Sequence, residues 1–418
     1  DRTIMTNMQY QSLRKGNRNM QYGFSIKRKC YLLSVLLMTV WLTGCVQEEF
    51  ESTPSPAGNG IRFTLTVPDV NLPSVSSRTM TGTGTAKKED EIETVDILVF
   101  DMSKTPAVFL EWASATEVTQ DLADNSTVSF SAVLSPTTAS TCIVVVANKE
   151  LDGIVSGFTK GVTTKVRAME EMLHTQTGKW LADGSTTGGY TRIPMYGEKV
   201  ISKITPSMNP ITDINMKRML ARIDIRNNSV TSNFTVEEVY LANYNTTGYI
   251  APAWNTNGQV TEPAPDTPVL PTGSGKMTEE GNAILYSVNG NTPYDGEIYT
   301  FESLAAGDAG GAGQDGEASR KDATCLIVKG KIGTGESTFY RVDFTKNGNT
   351  GEQVEYLPLK RNHKYIITIT KALGTGYKSF SEALASYTVM SNLKIRLIHY
   401  DRDKVKDVVY NGQYMLGV

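Results

Sequence analysis

The sequence predicts an all-β protein in which short strands form β-sandwiches in tandem. Residues 61–67, Ile-Arg-Phe-Thr-Leu-Thr-Val, alternate apolar and polar side chains, which is typical of a strand with one buried face. Residues 141–148 form a continuous apolar run that ends at Asn148, which indicates a strand buried on both faces. After residue 214, strand-like runs recur between turn signals with almost no helical periodicity, which favours a β-sandwich.

The composition agrees with a globular protein that has more than one core. The chain has 418 residues, of which 39% are hydrophobic and 20% charged, with 36 glycines and a formal net charge of -3. A chain of this length suggests two or three domains. Because the charge is spread along the sequence without a basic patch, we do not expect nucleic acid as a partner.

The first 45 residues have the features of an export signal. Basic residues 27–29 precede an apolar segment, Tyr31 to Leu42, that is too short to span a bilayer comfortably. The next residues, Leu-Thr-Gly-Cys45, resemble a bacterial lipobox, which implies lipid attachment to Cys45 and cleavage before it. Met20 would give a leader of ordinary length and is the expected start. An uncleaved membrane anchor is the alternative.

The first half of the chain contains the predicted strands in order, with one helix. A tether rich in proline, glycine and serine precedes the strand at 61–67, and a polar loop carrying Arg78 follows it. Further strands are predicted at 91–101, 128–134 and 141–148, and a helix at 164–174. In that helix an apolar face is formed by Val166, Met169, Met172 and Leu173. We expect this face to be core.

The second half continues with strands and ends in an apolar tail. Strands are predicted at 216–226, 234–242, 283–288, 297–301, 324–330, 337–344, 363–370 and 393–400. A charged break at 401–404 separates them from a tail whose candidate strand residues are Val405, Val408, Val409, Tyr410, Tyr414 and Leu416. Such a tail would leave apolar surface exposed on a free monomer, so we expect it to be given to another subunit. The alternative is that it forms the last hairpin of its own domain.

Several segments together resemble the Bacteroidetes fimbrillins, the shaft pilins of type V pili. The segments that carry this resemblance, in the family's order, are 61–67, Arg78, 91–101, Ile-Pro-Met-Tyr-Gly at 193–197, 218–225 and 359–370. The resemblance covers nearly the whole chain after Cys45. It implies two transthyretin-like β-sandwich domains, a short helix in the first of them, and a C-terminal donor-strand extension.

The resemblance also implies a route of assembly. It implies export as a lipoprotein to the outer membrane, where lipid on Cys45 anchors the precursor and an arginine-specific protease trims it. Cleavage between Arg78 and Thr79 would remove the strand that buries Ile61, Phe63, Leu65 and Val67. The C-terminal strand of a neighbouring copy would fill the space and build an extracellular fimbrium. Arg62 is the rival cleavage position, but it lies within the strand.

These inferences predict a division of the chain into five parts. They are the signal peptide at 1–45, a tether with the removable strand at 46–78, an N-terminal β-sandwich at 79–213, a C-terminal β-sandwich at 214–400 and a donor-strand tail at 401–418. The expected partners are other copies of the chain, accessory fimbrial subunits, the arginine-specific protease, the outer membrane, and surface ligands of host or bacterial cells.

The sequence gives little indication of chemistry. It has three histidines, His174, His363 and His399, and none lies in a pattern typical of a catalytic triad or a metal site. We therefore expect no enzyme activity, no catalytic residues, no cofactor and no metal. Of the four cysteines, Cys142 and Cys325 lie in apolar runs and are expected to be buried thiols, with a disulfide between them as the alternative.

Three functions remain for this sequence. The first is a structural subunit that polymerises into a fimbrial shaft and supports adhesion and biofilm formation. The second is a surface lipoprotein that stays monomeric and binds glycans, with Trp180 and Trp254 as sugar platforms, although these aromatic residues suit a core as well. The third is a tip or anchor subunit of a fimbria.

Overall fold

The computed structural model describes the protein from residue 61 onward, with gaps. The described residues are 61–67, 89–120, 127–181, 191–227, 232–277, 280–290, 294–307, 317–318, 321–346, 355–386, 393–401, 409–410 and 413–414. They belong to one compact unit, Asn59–Val418. The fold of these residues is all-β with a few short helices, so the predicted fold class is confirmed.

Ten described strands precede residue 219, and nine of them form the two sheets of the first sandwich. The ten strands are β1 Ile61–Thr66, β2 Val95–Asp101, β3 Val108–Ser114, β4 Thr116–Gln120, β5 Thr127–Ala132, β6 Thr141–Ala147, β7 Leu173–Thr175, β8 Met195–Ile201, β9 Ile211–Asn215 and β10 Lys217–Arg218. All except β7 belong to these sheets, of which one has the order β4-β5-β1-β9 and the other has the order β10-β8-β6-β2-β3. The apolar faces of the two sheets meet in one core cluster, in which Phe63 and Leu65 of β1 lie among Ile97, Ile143 and Val145 of the other sheet.

The second sandwich follows from residue 221. Its strands and connecting strands are β11 Ala221–Asn227, β12 Phe234–Ala242, β13 Tyr244–Asn245, β14 Thr247–Tyr249, β15 Lys276–Met277, β16 Ile284–Gly290, β17 Tyr294–Thr300, β18 Ala305–Ala306, β19 Glu317–Ala318, β20 Cys325–Ile332, β21 Thr338–Val342, β22 His363–Ala372 and β23 Leu393–Asp401. The two main sheets have the orders β17-β11-β22-β23 and β16-β12-β20-β21. A continuous apolar cluster fills the space between them.

The helices are short. They are α1 Asp152–Val155, α2 Lys165–Glu171 and α3 Phe380–Leu384, with a 3₁₀ turn at Glu280–Asn282. Thr164 caps α2, because its side chain accepts a hydrogen bond from the backbone of Arg167. As predicted, Met169 and Met172 of the apolar face are fully buried.

The predicted extent of α2 is wrong at its C-terminal end. The helix ends at Glu171, and the residues that follow form strand β7, which places His174 on a strand rather than on the helix. The reason is a long-range pairing, because β7 forms an antiparallel ladder with β14, in which His174 lies opposite Gly248. Backbone hydrogen bonds with a distant segment therefore outweigh the local helical pattern.

The junction between the sandwiches divides a run that the sequence predicts as a single strand, 216–226. Lys217–Arg218 pair with β8 of the first sandwich, whereas the strand that begins at Ala221 pairs with β17 and β22. Between them, Met219 and Leu220 are buried in a cluster to which both sandwiches contribute. The chain thus passes from a sheet of the first sandwich to a sheet of the second between Arg218 and Ala221. The domain boundary at residue 214 stays a prediction.

Cys142 and Cys325 are both buried and neither forms a disulfide. The prediction of two buried thiols is therefore confirmed, and the alternative of a disulfide between them is wrong. Among the described residues, no helix has the length and apolar character needed to cross a membrane.

Candidate functional site: the groove that holds the first strand

Strand β1 lies inside its sheet with a neighbour on each side. It runs antiparallel to β5, with Phe63 opposite Phe130 and Leu65 opposite Val128. On its other side it runs parallel to β9, with Leu65 opposite Ile214. The sequence predicts a buried face for this strand, and the structure adds that two other strands depend on it for hydrogen bonding.

The inward side chains of β1 are almost fully buried. The exposed fraction is 5% for Ile61, 1% for Phe63, and 0% for Leu65 and Val67. At about 1.5–3 kcal/mol for each large apolar side chain, these four contribute about 6–12 kcal/mol of gross burial. We use the name β1 groove for the channel that these side chains occupy between β5 and β9.

Two aromatic rings, one from β1 and one from the wall of the groove, pack together at its centre. Phe63 stacks on Phe130, with ring centroids 4.9 Å apart and an angle of 5° between the ring planes. Phe130 is itself 3% exposed, so the face that it presents to Phe63 is covered only while an inward side chain lies on it. The outward side chains of β1 differ in character, since Arg62 and Thr66 are exposed.

The β9 side of the groove is irregular. The register shifts between Phe63 and Leu65, and Asp213 adopts a positive φ of 59°, as expected at a bulge. The side chain of Asp213 accepts hydrogen bonds from the Thr212 hydroxyl at 2.8 Å and from the Lys199 ammonium at 3.4 Å. The Thr212 hydrogen bond, followed by the Lys199 interactions, lowers the pKa of Asp213. Lys199 lies on β8, so this ion pair connects the bulge of β9 to the other sheet.

The first residues that the structure describes after the gap following β1 form buried ion pairs and hydrogen bonds with the body of the protein. Glu89 is 5% exposed, and its carboxylate accepts hydrogen bonds from the Arg222 guanidinium at 2.7 Å and from the Tyr299 hydroxyl at 3.1 Å. The next residue, Asp90, forms an ion pair with Arg218, which is fully buried. We call these five residues the junction clamp.

The carboxylates around Arg222 favour its charged state. Burial would by itself lower the pKa of Arg222, but the carboxylates of Glu89 and Asp224 outweigh it and raise that pKa well above its ordinary value. Arg218 also donates to the Asn362 side chain at 3.1 Å and to the Glu89 carbonyl at 3.3 Å. The clamp thus connects the segment before β2 to the second sandwich, through Arg222 and Tyr299.

Most of the processing residues predicted from the sequence lie outside the described part of the chain. Cys45, Arg78 and Thr79 are in this group. The described chain stops at Val67 and resumes at Glu89, so the predicted cleavage position falls between the β1 groove and the junction clamp.

The predicted donor strand is described only in part. Val405, Val408 and Leu416 lie outside the described residues, whereas Val409–Tyr410 and Gln413–Tyr414 form two short strands, β24 and β25. These strands pair with each other, Val409 with Tyr414 and Tyr410 with Gln413. The preceding strand β23 lies at the end of its sheet and pairs with β22.

The neighbours of β1 and the residues of the junction clamp could not be identified from the sequence. Phe130 lies in a predicted strand, and the shared alternation of 61–67 and 128–134 is a signal that could have suggested their pairing. Strand β9 gave no such signal, because its buried residues Ile211 and Ile214 are three positions apart across the bulge. Within the described residues, no group of three or more metal-binding side chains is present.

Comparisons with known proteins identify one family. The sequence profile described as major fimbrial subunit protein (FimA) matches residues 61–319. This match begins at the first residue of β1 and extends into the second sandwich. No curated protein matches the sequence significantly.

The comparison with solved structures found matches of low sequence identity. The chain is similar to the tip fimbrial protein Mfa3 from Porphyromonas gingivalis with C-terminal truncation, at 14% identity and a TM-score of 0.45, covering 82% of this chain and 99% of that one. It is also similar to a fimbrial assembly protein from Parabacteroides distasonis, at 10% identity and a TM-score of 0.35, covering 76% of this chain and 91% of that one.

Proposed function

The chain belongs to the major fimbrial subunit protein (FimA) family, and from that premise we propose that it is a shaft subunit that polymerises by exchanging its first strand. Membership in this family supports a structural role at the cell surface. In the proposed scheme β1 is removed, and the C-terminal segment of a neighbouring copy enters the β1 groove.

The position of β1 carries this proposal. When an inner strand leaves a sheet, each of its two neighbours loses one hydrogen-bonding partner, and the apolar side chains beneath the strand become uncovered. Here the two strands are β5 and β9, and the uncovered side chains include that of Phe130. Such a gap is filled well by an extended segment that supplies both ladder hydrogen bonds and alternate apolar side chains.

The incoming strand comes from a second copy of the chain, so the assembly can grow by one copy after another. A tail that belongs to one copy and fills the groove of the next forms a head-to-tail contact, and such contacts build filaments when the rotation does not close. The tail follows β23 in the second sandwich, whereas the groove lies in the first. Shaft subunits would therefore be linked from the second sandwich of one copy to the first sandwich of another.

Export and processing complete the scheme. We propose that lipid on Cys45 holds the precursor at the outer membrane until an arginine-specific protease cuts between Arg78 and Thr79. The anchored junction clamp would keep the chain after the cut attached to the body of the protein. The assembled fimbrium would support adhesion and biofilm formation through its exposed faces, together with accessory fimbrial subunits.

Treatment of the purified precursor with an arginine-specific protease tests the proposal. We expect a new N-terminus at Thr79, followed by ladders of polymers that resist mild denaturation on a gel. The variant Arg78→Ala should block both results. Arg62→Ala is the matched control, because Arg62 is exposed but lies inside a paired strand and should leave both results unchanged.

Two outcomes would contradict the proposal. One is normal assembly by Arg78→Ala, and the other is intact fibres from a chain shortened after Asp403. The glycan-binding alternative predicts a monomer instead, but Trp180 is 4% exposed and packs edge-on against Phe301, so its ring is core rather than a sugar platform. Trp254 is partly buried against the apolar cluster that contains Trp180 and Phe301.

A further inference from the structure

The order of inward side chains in β1 recurs near the end of the tail. The last three of the four inward side chains of β1 are Phe63, Leu65 and Val67, each two positions from the next, and the tail has Tyr414, Leu416 and Val418 at the same spacing. We propose that the incoming strand takes the same direction as β1, with Tyr414 at the position of Phe63. Leu416 then takes the position of Leu65, and Val418 that of Val67. This inference rests on the function proposed above and specifies the register of the exchange.

The ring of Phe130 explains why an aromatic side chain belongs at this position. It lies parallel to Phe63 at 4.9 Å, and removal of β1 uncovers one of its faces. Aromatic pairs stabilise by more than their buried area, and they are among the favourable cross-strand pairs. The ring of Tyr414 would cover Phe130 in the same way, with its hydroxyl directed toward an end of the groove.

The fully buried positions decide between the possible registers. With Tyr410 on Phe130 in the same direction, Gly412 would take the position of Leu65, which is 0% exposed, and would leave a cavity there. In that register Tyr414 would also have to fit in the space of a valine.

The reverse direction fills the groove less well. With Tyr414 on Phe130, it again places Gly412 at the Leu65 position, and with Tyr410 on Phe130 it places Lys406 at the buried Val67 position. A shift of one residue would turn polar Gln413 and Asn411 inward. Among these arrangements, the proposed register alone fills the positions of Phe63, Leu65 and Val67 with side chains of matching type. It places Gly412 at the position of Ile61, which is the most exposed of the four inward positions at 5%.

The proposed register has a consequence for the free subunit. The backbone of Tyr414 pairs with that of Val409 in the β24–β25 hairpin, and Tyr410 pairs with Gln413. An inserted strand needs the same backbone groups for β5 and β9, so the hairpin must open before β25 can enter the groove. The self-pairing of the tail thus competes with exchange.

Cysteine pairs on the outward face test the register without disturbing the core. Ser129 is exposed and lies opposite Thr64, so in the proposed register it faces Met415 of the incoming strand. In the register with Tyr410 on Phe130, it would face Asn411 instead. Directly opposed residues in an antiparallel ladder are close enough for a disulfide. Cys142 and Cys325 are buried, and the leader cysteines precede Arg78, so the background should be low.

We expect full-length Ser129→Cys/Met415→Cys to form disulfide-linked ladders on non-reducing gels after protease treatment and mild oxidation. Ser129→Cys/Asn411→Cys should give at least about tenfold less cross-linked product. Cross-linking of the second pair, or of neither pair while polymers form, would overturn the register. If the parent protein forms no polymer at all, the proposed function itself fails, which is a distinguishable result.

The side chain of Tyr414 gives a second and independent readout. Tyr414→Ala should weaken polymers on the order of a hundredfold, as expected for loss of a buried aromatic side chain. Tyr414→Phe should restore them, because the ring is what covers Phe130. Met415→Ala removes an outward side chain of similar length and should change polymer yield less than about twofold. Equal effects of Tyr414→Ala and Met415→Ala would contradict the inference.

Discussion

The ring of Phe63 stacks on the ring of Phe130 across β1 and β5, with centroids 4.9 Å apart and planes 5° apart. The two residues differ in what the proposed processing does to them, since Phe63 would leave with β1 whereas Phe130 would stay. Substitutions at the two positions should therefore affect the stability of the precursor and that of the polymer differently.

Phe63→Ala should destabilise the precursor and leave the polymer unchanged. Loss of this buried ring should lower the free energy of unfolding of the precursor by about 3–5 kcal/mol. After processing, the substituted strand is absent, so polymers from this variant should dissociate at the same temperature as those of the parent. Urea unfolding of the precursor and thermal dissociation of the polymer measure the two effects.

Phe130→Ala is the matched comparison, because it removes the partner ring that stays with the body of the protein. We expect it to destabilise both the precursor and the polymer. Polymers from Phe63→Ala that are as unstable as those from Phe130→Ala would mean that β1 remains in place.

The inward face of β1 could be predicted from the sequence, whereas its neighbours could not. Strict alternation over residues 61–67 determines which side chains point inward, and all four prove to be buried. Pairing with β9 depends on contacts between segments far apart in sequence and on a bulge at Asp213, which interrupts the alternation of β9. The same kind of distant pairing, between β7 and β14, places His174 on a strand despite a helical pattern.

The junction clamp should be sensitive to loss of its carboxylate. Glu89→Ala would remove the buried oxygen atoms that accept hydrogen bonds from Nη1 of Arg222 and from the Tyr299 hydroxyl, whereas Arg222 would keep its ion pair with Asp224. Removing one partner of a buried ion pair typically costs about 3–5 kcal/mol, so urea unfolding should show a loss in that range. Glu89→Gln should fall between Glu89→Ala and the parent, because it keeps a hydrogen-bond acceptor and loses the charge.

Glu93→Ala is the control for the clamp. Glu93 forms an ion pair with Arg192, but its side chain is 59% exposed, so its removal should cost at most about 1 kcal/mol. Equal losses for the variants at Glu89 and Glu93 would show that burial of the clamp contributes nothing to stability.

Cys142 should be unreactive in the folded protein. Burial raises the pKa of its thiol to about 12, against the opposing effect of the nearby Lys165 ammonium. Because the thiolate is the reactive form, alkylation at about pH 8 should be negligible until the protein unfolds. A protein in which Cys30, Cys45 and Cys325 are replaced by serine isolates the signal, measured by mass spectrometry with and without urea. Rapid alkylation in native buffer would contradict the expectation.

His174 should make the protein less stable in mild acid. Burial lowers the pKa of His174, and the charge of Lys149 lowers it further. The unfolded chain, with a histidine pKa of about 6.5, therefore binds a proton before the folded one does as the pH falls. The contribution of this residue to stability is constant above that pH and decreases as the pH drops toward the folded-state pKa.

Urea unfolding between about pH 8 and about pH 5 checks this effect. His174→Phe keeps an aromatic ring beside Trp180, which lies 5.1 Å away, and should show a smaller loss of stability than the parent over the acidic part of the range. Lys149→Ala removes the second cause of the lowered pKa, so its loss should lie between those of the parent and His174→Phe. An identical pH dependence in the parent and His174→Phe would show that other groups titrate instead, because only the variant lacks this imidazole.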